Sequence, residues 1–164
     1  MTFPQVYETY YKNIFNMVYM RLLNRDDTED VVQEIFIHAY SAWDSYNQEK
    51  GSVLTWLYAI AKNTLINYMK KNKSFSQPVS IDDVVEPGIE DKELAALTDD
   101  NAHDAYLILK QLKDSDRELL TMRYTMNMSY REIAEEIGSN EKAVGKRMER
   151  LVSKCQTIAE KINL

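Results

Sequence analysis

The amino-acid sequence predicts an all-α protein made of two small helical domains joined by a flexible acidic linker, and three observations carry that reading. Glycine and proline are scarce, four and three in 164 residues, which favours long helices over a turn-rich β architecture. Apolar residues recur near the helical period on both sides of the middle of the chain. Carboxylates concentrate between those two halves. Residues 1–73 carry 8 basic and 8 acidic side chains, residues 74–105 carry 1 and 9, and residues 106–164 carry 11 and 9. The net charge of −6 thus belongs to the middle, and the outer segments are balanced or basic.

The first helix is expected from about Phe3 to Leu23, with Val6, Tyr10, Ile14, Met17, Val18 and Leu22 forming its apolar stripe. Asn24 to Asp27 breaks it. Asp26 or Asp27 is then placed to cap a second helix from Thr28 to about Trp43, whose first turn carries Glu29 and Asp30. A polar loop from Asp44 to Gly51 leads to Ser52, a good N-cap for a third helix from Val53 to about Lys71. Trp56, Leu57, Ile60, Ala61, Thr64, Leu65 and Tyr68 form its packing stripe, and Lys62, Asn63, Asn67, Lys70 and Lys71 largely fall off it.

From Ser74 to Asp100 come Pro78, Pro87, Gly88 and most of the carboxylates, the composition of a linker. Ile81, Val84, Val85, Leu94 and Leu97 give it enough apolar character to dock or to form a short helix. Ala102 to Leu112 then reads as a helix. Ser115 and Glu118 have the spacing of a capping box opening another helix through about Tyr124, and Ser129 with Glu132 repeats the signal. That next helix ends at Gly138, and a last one starts with Glu141.

Two short helices around a turn at Gly138 make a helix-turn-helix. Ala134 is small enough for a close crossing, Gly138 can adopt the left-handed conformation, and Val144 returns into the core. Along the last helix Val144, Met148, Leu151, Val152 and Cys155 share one face. Lys142, Ala143, Lys146, Arg147, Arg150 and Lys154 share the other. Presented to a major groove, Lys142, Lys146 and Arg147 are candidates for base edges. Ser129, Tyr130 and Arg131, at the start of the preceding helix, are suited to phosphate. A basic helix face by itself is more often a solvated surface; the turn signature beside it reverses the preference.

Other chemistries find little support. Cys155 is the sole cysteine and His38 and His103 are far apart, so disulfides, thiol clusters and metal ligation are not expected, nor is any cofactor. Cys155 reads as core and His38 as a helix-face residue. No segment approaches the roughly 20 apolar residues of a membrane span, and the start lacks a secretory pattern, which predicts a cytoplasmic protein.

Two stretches carry a resemblance over nearly the whole chain. Glu29, Asp30, Gln33, Glu34 and Phe36, followed by Thr55 to Asn63, resemble region 2 of the extracytoplasmic-function (ECF) sigma factors of bacterial RNA polymerase. Leu109 to Leu112, Leu119 to Tyr124 and Ser129 to Gly138 resemble region 4. The resemblance implies a non-enzymatic initiation factor that binds core RNA polymerase, through the β′ clamp coiled coil and the β flap, and promoter DNA. It places Glu29, Asp30, Gln33 and Glu34 on the clamp; Asp30, Gln33 and Glu34, at i, i+3 and i+4, point the same way. Helix-dipole stabilisation alone would explain Glu29 and Asp30 but not Gln33 and Glu34.

The resemblance also assigns the loop and third helix to melted minus-ten DNA. Tyr46, Asn47, Lys50, Ser52, Lys62, Asn63, Asn67, Lys70 and Lys71 supply stacking and phosphate-binding groups there, whereas Trp56 is read first as core. Ser129, Tyr130, Arg131, Lys142, Ala143, Lys146, Arg147 and Arg150 would meet the minus-thirty-five duplex. An anti-sigma factor, often membrane-bound in the family, is a further implied partner. Lys62, Lys70 and Lys71 stand where the family often has Arg, Asn67 replaces a frequent Asp, and Gly145 a frequent Lys or Arg. Two alternatives stay open at this point: an independent helix-turn-helix regulator with a sensing or dimerising N-terminal domain, and a helical di-metal carboxylate site built from Glu29, Asp30, Glu34 and His38, which lacks the Glu-x-x-His pairs such sites use.

Overall fold

A computed structural model describes residues 1–72 and 100–164. The chain divides into two compact units, Met1–Phe75 and Ser76–Leu164. The acidic linker and its apolar residues from Ile81 to Leu97 lie outside the described residues.

The first unit is built of three helices: α1 (Phe3–Leu22), α2 (Arg25–Ala42) and α3 (Val53–Lys71), with two single 3-10 turns at Trp43–Ser45 and Gln48–Lys50. Pro4 lies in the first turn of α1, where its missing N–H costs nothing, and Gln5 Oε1 accepts from Thr2 N at 2.9 Å. Leu23 ends the helix in the left-handed region at φ 51, its N–H donating to Tyr19 O at 2.8 Å. The second helix starts earlier than Thr28, and neither Asp26 nor Asp27 caps it. Asn24 sits in extended conformation and its side chain accepts from Asp27 N at 2.9 Å, so both aspartates fall inside the first turn and favour the helix dipole. Ser52 caps α3 as expected, accepting from Thr55 N at 3.2 Å.

Where these helices meet, Val6, Ile14 and Val18 from α1, Val31, Val32, Ile35 and Ala39 from α2, and Leu57, Ala61 and Leu65 from α3 are essentially inaccessible. The expected stripes therefore face one another, with Tyr10, Trp56, Ile60 and Tyr68 at their margins. Two buried hydroxyls are satisfied: Thr28 Oγ1 donates to Asn24 O at 2.6 Å, and Thr64 Oγ1 lies 3.2 Å from His38 Nδ1. His38 is a tie between α2 and α3 as well as a helix-face residue.

The second unit contains α4 (Asp100–Lys110), α5 (Asp114–Leu120), one π-helical turn (Thr121–Thr125), α6 (Tyr130–Ile137) and α7 (Glu141–Lys161). Three expectations need correction. Helix α4 begins two residues before Ala102 and ends at Lys110, not Leu112. The capping box of Ser115 and Glu118 does not form. Lys113 occupies the cap position, and Asp114, Ser115 and Asp116 are already helical, because acidic residues in a first turn favour the dipole and Asp116 is drawn to cations of α7. Beyond Leu120 the helix widens into the π turn before Tyr124.

The second capping box is realised: Ser129 N donates to Glu132 Oε2 at 2.7 Å and Glu132 N donates to Ser129 Oγ at 3.1 Å. These bonds hold the exposed Glu132 carboxyl below its ordinary range, the bond from the Ser129 backbone first. Gly138 takes φ 69 and ψ 41 and closes α6 onto Ala134 O. The buried seam of α7 is Val144, Met148, Leu151 and Ile158. Val152, expected on that seam, is 37 % exposed, since the line i, i+4, i+7, i+14 leaves it off the packed side. Cys155 is half-buried, and burial pushes its thiol up, which suits a packing residue and not a nucleophile.

Candidate nucleic-acid interface

On α2, Asp30, Gln33 and Glu34 are exposed and share one side of the helix. Glu29 is half-buried and pairs with Arg25, Nε to Oε1 at 3.2 Å, and Glu34 Oε1 lies 4.0 Å from His38 Nε2. The same side continues into Ile37 and Tyr40, 64 % and 68 % exposed. Sequence reasoning missed these two. Their signal was available, because positions 30, 33, 37 and 40 keep helical register and place large apolar groups among acceptors, the composition of a surface that meets a partner.

The loop before α3 is organised by aromatic rings. Tyr46 stacks on Trp43 with centroids 5.3 Å apart and planes 5° apart, and Trp56 tilts against both at 5.8 and 5.4 Å. Tyr46 OH donates to Gly51 O at 2.9 Å, tying the ring to the end of the loop. Trp56 therefore belongs to a half-buried cluster and not to the helix core, while one face of Tyr46 is occupied by Trp43, a residue sequence reasoning did not nominate. Asn47 and Ser52 have local duties: Asn47 Oδ1 accepts from Glu49 N at 2.9 Å and Ser52 caps α3. Lys50 is exposed. Asn63, Asn67, Lys70 and Lys71 form one exposed stripe at i, i+4, i+7 and i+8, with Lys62 half-buried beside it.

In the second unit α6 and α7 form the helix-turn-helix, with Asn140 capping α7 through Ala143 N at 2.9 Å. Lys142, Ala143, Lys146 and Arg150 are exposed along one side of α7, and Ser129 and Arg131 are exposed at the start of α6, Arg131 beside Glu135 at 3.7 Å. Two cations expected on the outward face lean toward α5 instead, Arg147 with its side chain still 41 % exposed. Lys154 Nζ lies 3.0 Å from Asp116 Oδ2, and Arg147 Nη2 donates to Ser115 O at 3.4 Å, 4.0 Å from Asp116 Oδ1.

Tyr130 is half-buried between two elements. The Arg123 guanidinium lies over its ring at 4.6 Å and also donates to Met128 O at 2.9 Å. On the other side the ring faces Gly145, where an added Cβ would come 3.6 Å from Tyr130 Cδ2, an ordinary contact. Glycine is thus not sterically required in this helix interior. Gly145→Ala is expected to stabilise the second unit by about 1 kcal/mol and to raise its melting temperature by roughly 4–8 °C. A thermal melt followed by circular dichroism checks this.

Among the described residues no group of three or more His, Cys, Asp or Glu side chains is placed to hold a metal ion, and no helix is long and apolar enough to cross a membrane. What the geometry defines is a two-unit helical protein with a helix-turn-helix in its second unit.

Comparison with known proteins specifies the family. Residues 6–75 match Sigma-70 region 2 and residues 103–155 match Sigma-70, region 4. The ECF RNA polymerase sigma factor SigX of Bacillus subtilis (strain 168) is 24% identical over 149 residues, 87% of this chain and 76% of that one. The ECF RNA polymerase sigma factor SigM of the same organism is 27% identical over 138 residues, 80% and 79% of the two chains. The ECF RNA polymerase sigma-E factor of Escherichia coli (strain K12) is 31% identical over 123 residues, 70% and 64% of the two. In fold, the chain is similar to the sigma factor RpoE solved in complex with the anti-sigma factor NepR from Bartonella quintana, with a TM-score of 0.68, 19% identity and 96% of each chain covered. The chain belongs to the ECF RNA polymerase sigma factors, which are transcription initiation factors and not enzymes.

Proposed function

We propose how this sigma factor divides its work among its residues. Residues 1–73 act as region 2, residues 74–105 as a linker that runs into the first six residues of α4, and residues 106–164 as region 4. Asp30, Gln33 and Glu34, with Glu29 at the edge, meet the β′ clamp coiled coil of core RNA polymerase. Region 4 meets the β flap. Tyr46, Asn47, Lys50, Ser52, Lys62, Asn63, Asn67, Lys70 and Lys71 receive the melted minus-ten strand, where exposed lysines draw in phosphate and the aromatic cluster offers a stacking edge. Ser129, Tyr130 and Arg131 hold duplex backbone at minus thirty-five, and Lys142, Ala143, Lys146 and Arg150 face its bases. Arg147 borders that face.

The observation that carries this division is the pair of unlike surfaces: an acceptor-rich side of α2 in one unit and a cationic side of α7 in the other. With a net charge of −6 the free protein binds DNA weakly, and polymerase supplies the missing electrostatics and geometry. The protein works in the cytoplasm, where polymerase is. The family resemblance supports an inhibitory anti-sigma partner that covers the polymerase-binding faces, and the RpoE structure of similar fold was solved in complex with the anti-sigma factor NepR. Run-off transcription with core enzyme tests the reading. Promoter-dependent product is expected only when this chain is added, and its absence on the chain's own upstream region would count against the proposal.

A further inference from the structure

One carboxylate in the second unit meets two cations of the recognition helix. Asp116, in the first turn of α5, is 7 % exposed. Its Oδ2 is 3.0 Å from Lys154 Nζ and its Oδ1 is 4.0 Å from Arg147 Nη2, while the same guanidinium nitrogen donates to Ser115 O at 3.4 Å. Arg147 and Lys154 are two turns apart on one flank of α7, between the buried seam of Val144, Met148, Leu151 and Ile158 and the outward side of Lys142, Lys146 and Arg150. A single acid on α5 therefore grips α7 at two points, next to the surface that faces DNA.

We infer that Asp116 is a positioning residue for duplex recognition. It ties α7 to α5 through Arg147 and Lys154 and so fixes the angle at which the outward side of α7 enters the groove. Arg147 works through this tie and does not read a base. Hydrogen bonds to base edges depend on geometry, and all of them here ride on one helix, so a small rotation of α7 displaces them together. Among the described residues Asp116 is the one acid that reaches both cations, so neutralising it releases both ties together and loosens the flank as a whole.

The inference rests on the proposed duplex reading, and the test separates the two. Full-length Asp116→Asn, Arg147→Met and the double variant are assayed with core enzyme. The template is a promoter from the chain's own upstream region, intact or with a scrambled or singly substituted minus-thirty-five element. Measurements are made below the melting transition of each variant. Each single change is expected to cut discrimination between intact and scrambled elements roughly ten-fold. The double variant should be no worse than the weaker single, and base preference should shift at several positions together. Asp116→Glu should recover part of the loss, and Arg147→Met should leave the salt dependence of binding unchanged. Additive losses, parental discrimination in Asp116→Asn, or an Arg147→Met effect confined to one base with a salt slope lower by about one would each overturn the inference. Should Asp116→Asn not fold, the base profile and salt slope of Arg147→Met decide the matter. If the parent itself ignores the minus-thirty-five element, the duplex reading fails and the inference with it; if the parent depends on that element and Arg147→Met behaves like the parent, the inference alone fails.

Discussion

Reversing charge on the outward side of α2, with Asp30→Lys and Glu34→Lys together, is expected to weaken holoenzyme formation by about 100-fold, or nearly 3 kcal/mol. Both side chains are exposed, so neither supports the core and the fold should survive. The loss arises because acceptors that would pair with a basic helix are replaced by cations that repel it. Gln33 and the apolar pair Ile37 and Tyr40 share the surface, and their contacts would remain, which keeps the effect finite. Titrating labelled core enzyme at several salt concentrations checks the result: the defect should shrink as salt screens the repulsion. An unchanged affinity would remove this side of α2 from the polymerase contact.

Leu57→Ala is expected to produce the largest change in stability. Leu57 on α3 is fully buried, like Ile14 on α1 and Ile35 on α2. Truncation gives up the transfer free energy of the lost methyl groups and leaves a cavity that three packed helices fill only in part, at a cost of about 2–5 kcal/mol. A unit of this size has a total stability of the same order, roughly 0.05–0.15 kcal/mol per residue. The variant should therefore sit near its unfolding transition at moderate temperature. Both tryptophans, Trp43 and Trp56, belong to the aromatic cluster of this unit, so fluorescence during urea unfolding reports on it directly. The midpoint is expected to fall by about 1–3 M.

Local signals were the most legible part of this protein. Ser52 before Val53, the Ser129 and Glu132 pair, and Gly138 each act within one helical turn, and backbone hydrogen bonding there depends on residues three or four positions apart. Helical register was legible for the same reason, and with it the placement of Asp30, Gln33 and Glu34 on one side of α2. Where two local signals competed, sequence reasoning went astray. Asn24 took the cap that Asp26 or Asp27 was expected to fill, and Ser115 lost its cap to a helix that had already begun at Asp114.

The sequence by itself determined an all-helical chain, the family to which it belongs, the caps at Ser52 and Ser129 and most of the polar side of each helix. The caps and the polar sides follow from nearest neighbours on a regular spiral, and the family from motifs that such spirals carry. Only the tertiary structure decided which cations of α7 face outward. Lys142, Lys146 and Arg150 do, while Arg147 and Lys154 bend toward Asp116, more than thirty positions earlier in the chain. It also decided that Trp56 of α3 closes against Trp43 and Tyr46 and that Tyr130 lies between Arg123 and Gly145. Long side chains choose among partners by distance in space, and that distance is set when helices remote in sequence pack their apolar seams together.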